Sequence, residues 1–478
     1  MHIPTLLIGQ VQDILPQLHD HRLKAYFMIE LLHRWQYYPI SDHEALASQA
    51  LEHLKQLDEP DLECKLYLSM AFYYQHFKTD LVEAANMCKK IISLAIPTGN
   101  SKRHSQALNQ LAWMNLQLGK YSVAQMYAYE AQKLARVCGN LYTEAQAVRI
   151  QALCQTALSY YKQSLSLCIM SQDLLGLCDM SDGEANLSIL TTQAGVHKCK
   201  SEYSEAWEIH SKIIRISADR DPFWHAIALL NLTELDVSMG VPKHDVQRNI
   251  ELARSIFTTT GRKSWIIACD YILADLYLRE QDLTGAKTLF EKSLKLSLGN
   301  IEIKSLCFEK LGNASSWGPD ESIPGWTTIF LVDSLKLQAK LHVYKALQFF
   351  GQIFLMQNDE DTAISLLTVA LEGFTYMDVH RSRAECMVRL GDISNNHGDQ
   401  LKAIEFWSIA KPLFERSSQV KEVQHVDERL ACIGSDVLEQ HRESIARLVK
   451  LNVPSGNPSP IKDELQVELI EEPPQILV

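Results

Sequence analysis

Four groups of residues in this chain have side chains able to do chemistry. The run Thr260-Gly261-Arg262-Lys263-Ser264 ends like a phosphate-binding loop. It lacks the upstream glycine of that motif, and helical pattern, not a strand, precedes it, so it reads as a loop between helices. Eleven cysteines are present, an odd number, with no Cys-x-x-Cys pair. Most fall inside helical pattern, as Cys154 does, where a free thiol packs as a small apolar group and suits a reducing cytosol. His19 and His21 stand two apart with no third ligand at metal-binding spacing. The acids Asp359, Glu360 and Asp361 fall where a helix begins, and there carboxylates favour the helix dipole without any calcium. No nucleophile elbow, dinucleotide fingerprint or Cys/His dyad accompanies these groups. The expectation is a protein without enzymatic activity, metal or cofactor.

The elements that would carry these residues show a strong repeat. Windows at 110–124, 272–286, 349–363 and 389–403 align without a gap, and 150–164 and 192–206 follow more loosely. One ladder of small residues runs Ala112, Ala152, Ala194, Thr233, Ala274, Gly312, Gly351 and Gly391, at spacings of 38 to 42. A second runs Ala84, Ala124, Ser164, Ala206, Val246, Ala286, Ala363 and Ala403, with one rung missing near 324–327. Small side chains recur where two helices must approach closely. Turns such as Leu118-Gly119-Lys120-Tyr121 separate the ladders. The Tyr or Leu that follows (Tyr121, Tyr161, Tyr203, Leu283, Leu401) is expected to fill the gap between helices. Stops at Gly99, Gly139, Gly261 and Gly299 suit a left-handed cap. The unit is helix, turn, helix, cap.

The fold class is therefore all-α: an α-solenoid, a right-handed superhelix of about nine repeats of roughly 40 residues. Residues 1–60 read as a worn N-terminal unit, hinted at by Ala45, which lies 39 before Ala84. Residues 61–417 form the array, and 418–452 are closing helices that cap it. Residues 453–478, rich in Pro and Glu, read as a disordered acidic tail. The stretch 313–326, with its Gly, Pro and two Trp, breaks the pattern with a long loop.

Net charge is −12, with 46 basic and 58 acidic residues. Without a basic face this disfavours a nucleic-acid partner. No apolar run is long enough to span a membrane, and no signal peptide opens the chain, so the expected location is the cytoplasm.

The unit resembles the tetratricopeptide family. Leu111, Ala112, Gly119, Tyr121, Ala124 and Ala131 match its pattern in one repeat; Leu390, Gly391, Gly398, Ala403 and Ala410 do so in another, with Pro412 nearby. That resemblance implies a concave face read at two positions per repeat. These are Asn109/Trp113, Arg149/Leu153, Thr191/Gly195, Leu230/Glu234, Tyr271/Asp275, Glu309/Asn313, Gln348/Gln352 and Val388/Asp392. It further implies a scaffold or sensor that binds a protein or peptide through Asn109, Trp113, Arg149, Glu234, Tyr271, Asp275, Glu309 and Asp392. The later rungs are acidic, which favours a partner with a basic segment. The stretch 378–393, Asp378-Val379-His380-Arg381 onward, is similar to the C-terminal arrays of fungal STAND (NACHT-like) signalling NTPases. This chain carries no NTPase motif, so that similarity implies a stand-alone relative, a fragment, or a regulator acting on an NTPase or hydrolase in trans. A self-assembling array is a further alternative. Trp407 is expected to pack between helices.

Overall fold

The computed structural model describes residues 13–34, 42–178, 183–218, 220–297, 301–317, 322–433 and 435–452. The Gly299 stop and the tail expected at 453–478 lie outside them. Helices follow one another as antiparallel pairs. The first pair is α1 (His21–Arg34) with α2 (His43–Leu54). Then come α3 (Pro60–Tyr73) with α4 (Leu81–Ala95), α5 (Ser101–Gln117) with α6 (Tyr121–Val137), and α7 (Leu141–Ala157) with α8 (Tyr161–Gly176). The middle of the chain holds α9 (Glu184–Cys199) with α10 (Tyr203–Ser217), α11 (Pro222–Met239) with α12 (Lys243–Thr259), and α13 (Lys263–Arg279) with α14 (Leu283–Leu296). Next, α15 (Ile301–Gly312) and α17 (Ile323–Lys336) flank the short α16 (Ala314–Trp317). The last pairs are α18 (Lys340–Met356) with α19 (Glu360–Met377) and α20 (His380–Asn396) with α21 (Gln400–Arg416); α22 (Val420–Ala431) and α23 (Ser435–Asn452) both pack back on α21. Among the described residues nine pairs thus lie between Pro60 and Arg416, with one pair before them and two closing helices after.

The small-residue ladders are the seams of these pairs. Ala112, Ala152, Ala194, Thr233 and Ala274 on the first helices, and Ala84, Ala124, Ser164, Ala206, Val246, Ala286, Ala363 and Ala403 on the second, are all 0% exposed. A Cβ on Gly351 would come 2.8 Å from Leu367, and one on Gly391 2.6 Å from the Trp407 ring. The missing rung is Thr327, fully buried, whose Oγ1 donates to Gly312 O at 2.8 Å. The insertion before α17 had moved it out of register. That insertion is anchored at both ends: Trp317 Nε1 donates to Lys310 O at 2.7 Å, and Trp326 in the first turn of α17 tilts against Phe308. The second helices also carry fully buried wedges, Phe257, Phe290, Phe330 and Phe374. Each contributes about 1.5–3 kcal/mol through the apolar surface it removes from water.

Two expectations are corrected. Ala45 is exposed, and Ala47 and Ala50 make the seam of the first pair instead. Leu401 is 39% exposed and fills no gap, whereas Tyr161 and Tyr203 are buried.

Four second helices start on acid caps. Asp80, Asp282, Asp359 and Asp399 each accept a hydrogen bond from a backbone N–H two or three residues on. The run Asp359-Glu360-Asp361 is thus a cap and a first turn. Glycines in left-handed conformation end helices at Gly119 (φ 69°), Gly139 (φ 67°) and Gly261 (φ 68°).

The array winds until it touches itself. Leu341 N donates to Ser159 Oγ at 3.0 Å, and Lys340 Nζ to Tyr160 OH at 2.8 Å. His380 N donates to Lys200 O at 3.0 Å, and Gln419 Nε2 to Ser238 O at 3.1 Å. These partners stand 180 to 182 residues apart. At about 40 residues per repeat, one superhelical turn therefore takes about four and a half repeats. Gly119 packs on Leu337 and Ile301 at the same kind of contact. Arg262, from the loop that ends like a phosphate-binding motif, is 3% exposed and lies 4.5 Å over the Phe77 ring of an earlier turn. That loop joins α12 to α13 and serves this contact.

Candidate functional site

Winding this tight brings first helices of distant repeats face to face, so that Glu302 acts on Lys198 and Lys345 on Cys199. The acidic rungs pair with a neighbouring repeat. Lys198 Nζ donates to Glu234 at 2.8 Å, Lys310 to Asp275 at 2.7 Å, and Lys345 to Glu309 at 2.7 Å. Arg429 holds Asp392 through Nε at 2.7 Å and Nη2 at 3.1 Å. Lys65 pairs with Glu30 in the same way near the start of the array, and Gln348 Nε2 donates to Glu385 at 2.8 Å. Further along, the Arg149 guanidinium lies 4.9 Å over the Trp113 ring.

The four acidic rungs read from the sequence, Glu234, Asp275, Glu309 and Asp392, are therefore charge-compensated by Lys198, Lys310, Lys345 and Arg429. The basic members went unread. Their signal was present all the same, because each ion pair joins residues 35 to 37 apart, one repeat. Asn109 keeps a buried Oδ1 that accepts no hydrogen bond. Tyr271 is 3% exposed with its ring on Phe290 at 5.8 Å, so it belongs to the wall and offers no surface. Trp407 is 3% exposed and donates from Nε1 to Asp392 at 3.1 Å.

Inside this wall, charges from distant repeats act on one another. Burial opposes charge on Lys198, but Glu234 beside it and Glu302 facing it raise its pKa above the usual lysine value. Burial likewise opposes ionisation of Glu309, yet Lys345, His342 and Lys310 outweigh it and hold the carboxyl at about 2. His342 is driven down to about 4, first by burial. Glu302 differs from all of these. Desolvation pushes its pKa up, only Lys198 draws it down, and Glu234 adds repulsion. The residue stays accessible to water between these walls, yet they surround its carboxyl closely enough to desolvate it, and it accepts no hydrogen bond among the described residues. It is a carboxylate facing the enclosed interior with nothing bonded to it.

One group of three metal-capable side chains occurs among the described residues: Glu202, Asp378 and His380. The imidazole stands between the two acids, with Nε2 3.5 Å from Glu202 and Nδ1 3.7 Å from Asp378. One ion cannot bond both nitrogens of a ring, and Lys200 Nζ already bridges the carboxylates at 2.6 and 3.2 Å. Glu202 also accepts from His197 Nδ1 at 2.7 Å. Burial favours its neutral form, but His197, His380 and Lys200 together hold its pKa far below the usual carboxylate value. This cluster lies on the contact between successive superhelical turns and works as a latch.

No family model and no curated protein matches the sequence. Among solved structures, the chain is similar to a Rap protein complexed with competence and sporulation factor, at 11% identity over 75% of this chain and 98% of that one, TM-score 0.54. It also aligns with an IFIT1 monomeric mutant with Gppp-AAAA, at 13% identity over 93% and 95%, TM-score 0.43. The first likeness shows the fold. This chain is an all-α solenoid of tetratricopeptide-like helical repeats. Among the described residues no helix is long and apolar enough to cross a membrane.

Proposed function

We propose that the chain is a non-catalytic scaffold whose inner wall receives an extended protein or peptide segment bearing a basic side chain. The observation that carries this reading is Glu302, an exposed carboxylate within a wall where every other acidic rung already holds a cation. A lysine or arginine from a ligand would restore to Glu302 the partner that its surroundings withhold. Hydrogen bonds to charged groups contribute about 1.5–3 kcal/mol. Trp113 and Arg149 offer a second, flat polar platform for a peptide backbone, and Glu234, Asp275, Glu309 and Asp392 set the spacing between them. Three buried thiols pack as apolar groups, in keeping with a structural role. Burial pushes Cys154, Cys168 and Cys269 up to about 12, so none of them is a nucleophile near neutrality.

Panning a displayed peptide library on the purified chain tests the reading. Selected peptides should be enriched in Lys or Arg and lose at least about tenfold in affinity on Glu302→Lys and on Trp113→Ala, with circular dichroism unchanged. Selected peptides that bind both folded variants as tightly as wild type would refute it.

A second reading rests on the similarity of 378–393 to the arrays of STAND NTPases. Asp378 and His380 from that stretch sit in the latch, so a signalling NTPase, in cis or in trans, would sense whether the turns are closed.

A further inference from the structure

A second cavity lies away from the inner wall, between α19, α20, α21 and the end of α23. It is an open groove of about 530 Å³, lined mainly by apolar groups of Leu371, Tyr376, Met387, Phe406 and Ile409, with the exposed Glu372 and Thr375 on its α19 side. Its buried polar group is Arg383, 4% exposed, whose Nη2 donates to Asn452 Oδ1 at 3.2 Å and whose Nε has no hydrogen-bond partner. Burial lowers the pKa of this guanidinium, and only Asp378 acts against that. A buried guanidinium without a carboxylate is costly, because Arg presents five donors in a fork that fits an acid. The cavity therefore lacks an occupant that is apolar along its length and acidic where it meets Arg383.

The sequence that follows the groove has that chemistry. Asn452 forms part of the lining, and the chain continues from it into 453–478. That stretch carries Asp463, Glu464, Glu468, Glu471 and Glu472 against the single base Lys462, interleaved with Ile461, Leu465, Val467, Leu469 and Ile470. Because the segment is tethered at the groove's edge, its effective concentration there is on the order of millimolar, so a weak contact suffices. We propose that this groove is the docking site of the chain's own acidic–apolar segment 461–472, with one of its carboxylates on Arg383. The docked segment covers the apolar walls, and a partner that captured it would expose them.

The test uses the full chain with Tyr376, 82% exposed at the rim, exchanged for the photoreactive p-benzoylphenylalanine. Irradiation should give cross-links to 461–472 within single chains. Their yield should fall at least about fivefold with Leu469→Asp/Ile470→Asp in the tail and with Arg383→Gln, each checked for unchanged circular dichroism. Cross-links between two chains would overturn the proposal by giving the groove to a second copy. Cross-links confined to α19–α21, or yields indifferent to the tail variant, would overturn it by showing the segment elsewhere. Neither result touches the inner-wall reading, which depends on Glu302 and Trp113.

Discussion

Replacing Glu202 by Gln should loosen the contact between superhelical turns, by an amount that follows from its neighbours. Glu202 is 9% exposed and accepts Lys200 at 2.6 Å and His197 at 2.7 Å, with His380 at 3.5 Å and Arg416 at 4.0 Å. Removing one partner of a buried ion pair costs about 3–5 kcal/mol when the other is left alone. Lys200, however, keeps Asp378, which is 44% exposed and so a weaker partner. About 2–3 kcal/mol remains, equivalent to roughly 30- to 140-fold in an opening equilibrium. The reporter is the His380 amide, whose hydrogen bond to Lys200 O at 3.0 Å crosses the turn and exists only when the turns touch. Hydrogen exchange of this amide should accelerate by that factor in Glu202→Gln, while exchange within α5 to α7, remote from the latch in sequence, stays the same. The same contact should weaken in acid. The folded pKa of Glu202 lies below its usual 4.5, so its contribution is complete above pH 4.5 and erodes as pH falls below that value. If His380 exchange in the folded variant stays within about threefold of wild type, the latch assignment is wrong, because no factor below the lower bound just derived is compatible with it.

Two further outcomes are expected. Gly119→Ala and Gly139→Ala both force a side chain into the left-handed region, at about 1–2 kcal/mol each. Only at Gly119 would the new Cβ lie 2.4 Å from Leu337, across the turn, so urea denaturation should show about 1–3 kcal/mol more loss there than at Gly139. Asp236 is 7% exposed and burial raises its pKa to about 6, against the hydrogen bond from Trp207 Nε1. A carboxyl raised from 3.8 destabilises the fold as it ionises, so Asp236→Asn should stabilise by about 3 kcal/mol near pH 7.5. That gain should vanish below about pH 4, where both forms are neutral; a gain independent of pH would refute the assignment.

The repeat could be read from the chain because its seams demand small residues wherever helices cross, and that demand recurs with the period. Ala112 and Ala124 each announce a crossing by type alone. Thr327 escaped because an insertion displaced it, and Ala45 misled because an alanine at the right spacing was not at the seam. The inner wall was half read. Acids at the rungs attracted notice, whereas Lys310 and Lys345 looked like ordinary surface lysines until the next repeat was placed beside them. The self-contact had no local signature at all. Ser159 to Leu341, Gly119 to Leu337 and Arg262 to Phe77 share no residue type. Their meeting depends on small rotations summed over four repeats, which no window of sequence records.

That self-contact alters how the chain should come apart. A repeat array without it is a line of neighbours, able to fray from either end one unit at a time. Bonds recurring at 180 to 182 residues tie several units to ones about four and a half places away. The line becomes a rolled-up sheet, in topology a small cylinder with contacts along and across. Losing an end then breaks two kinds of bond at once, which sharpens the unfolding transition. The same long-range closures raise the contact order and slow folding relative to an open array of equal length.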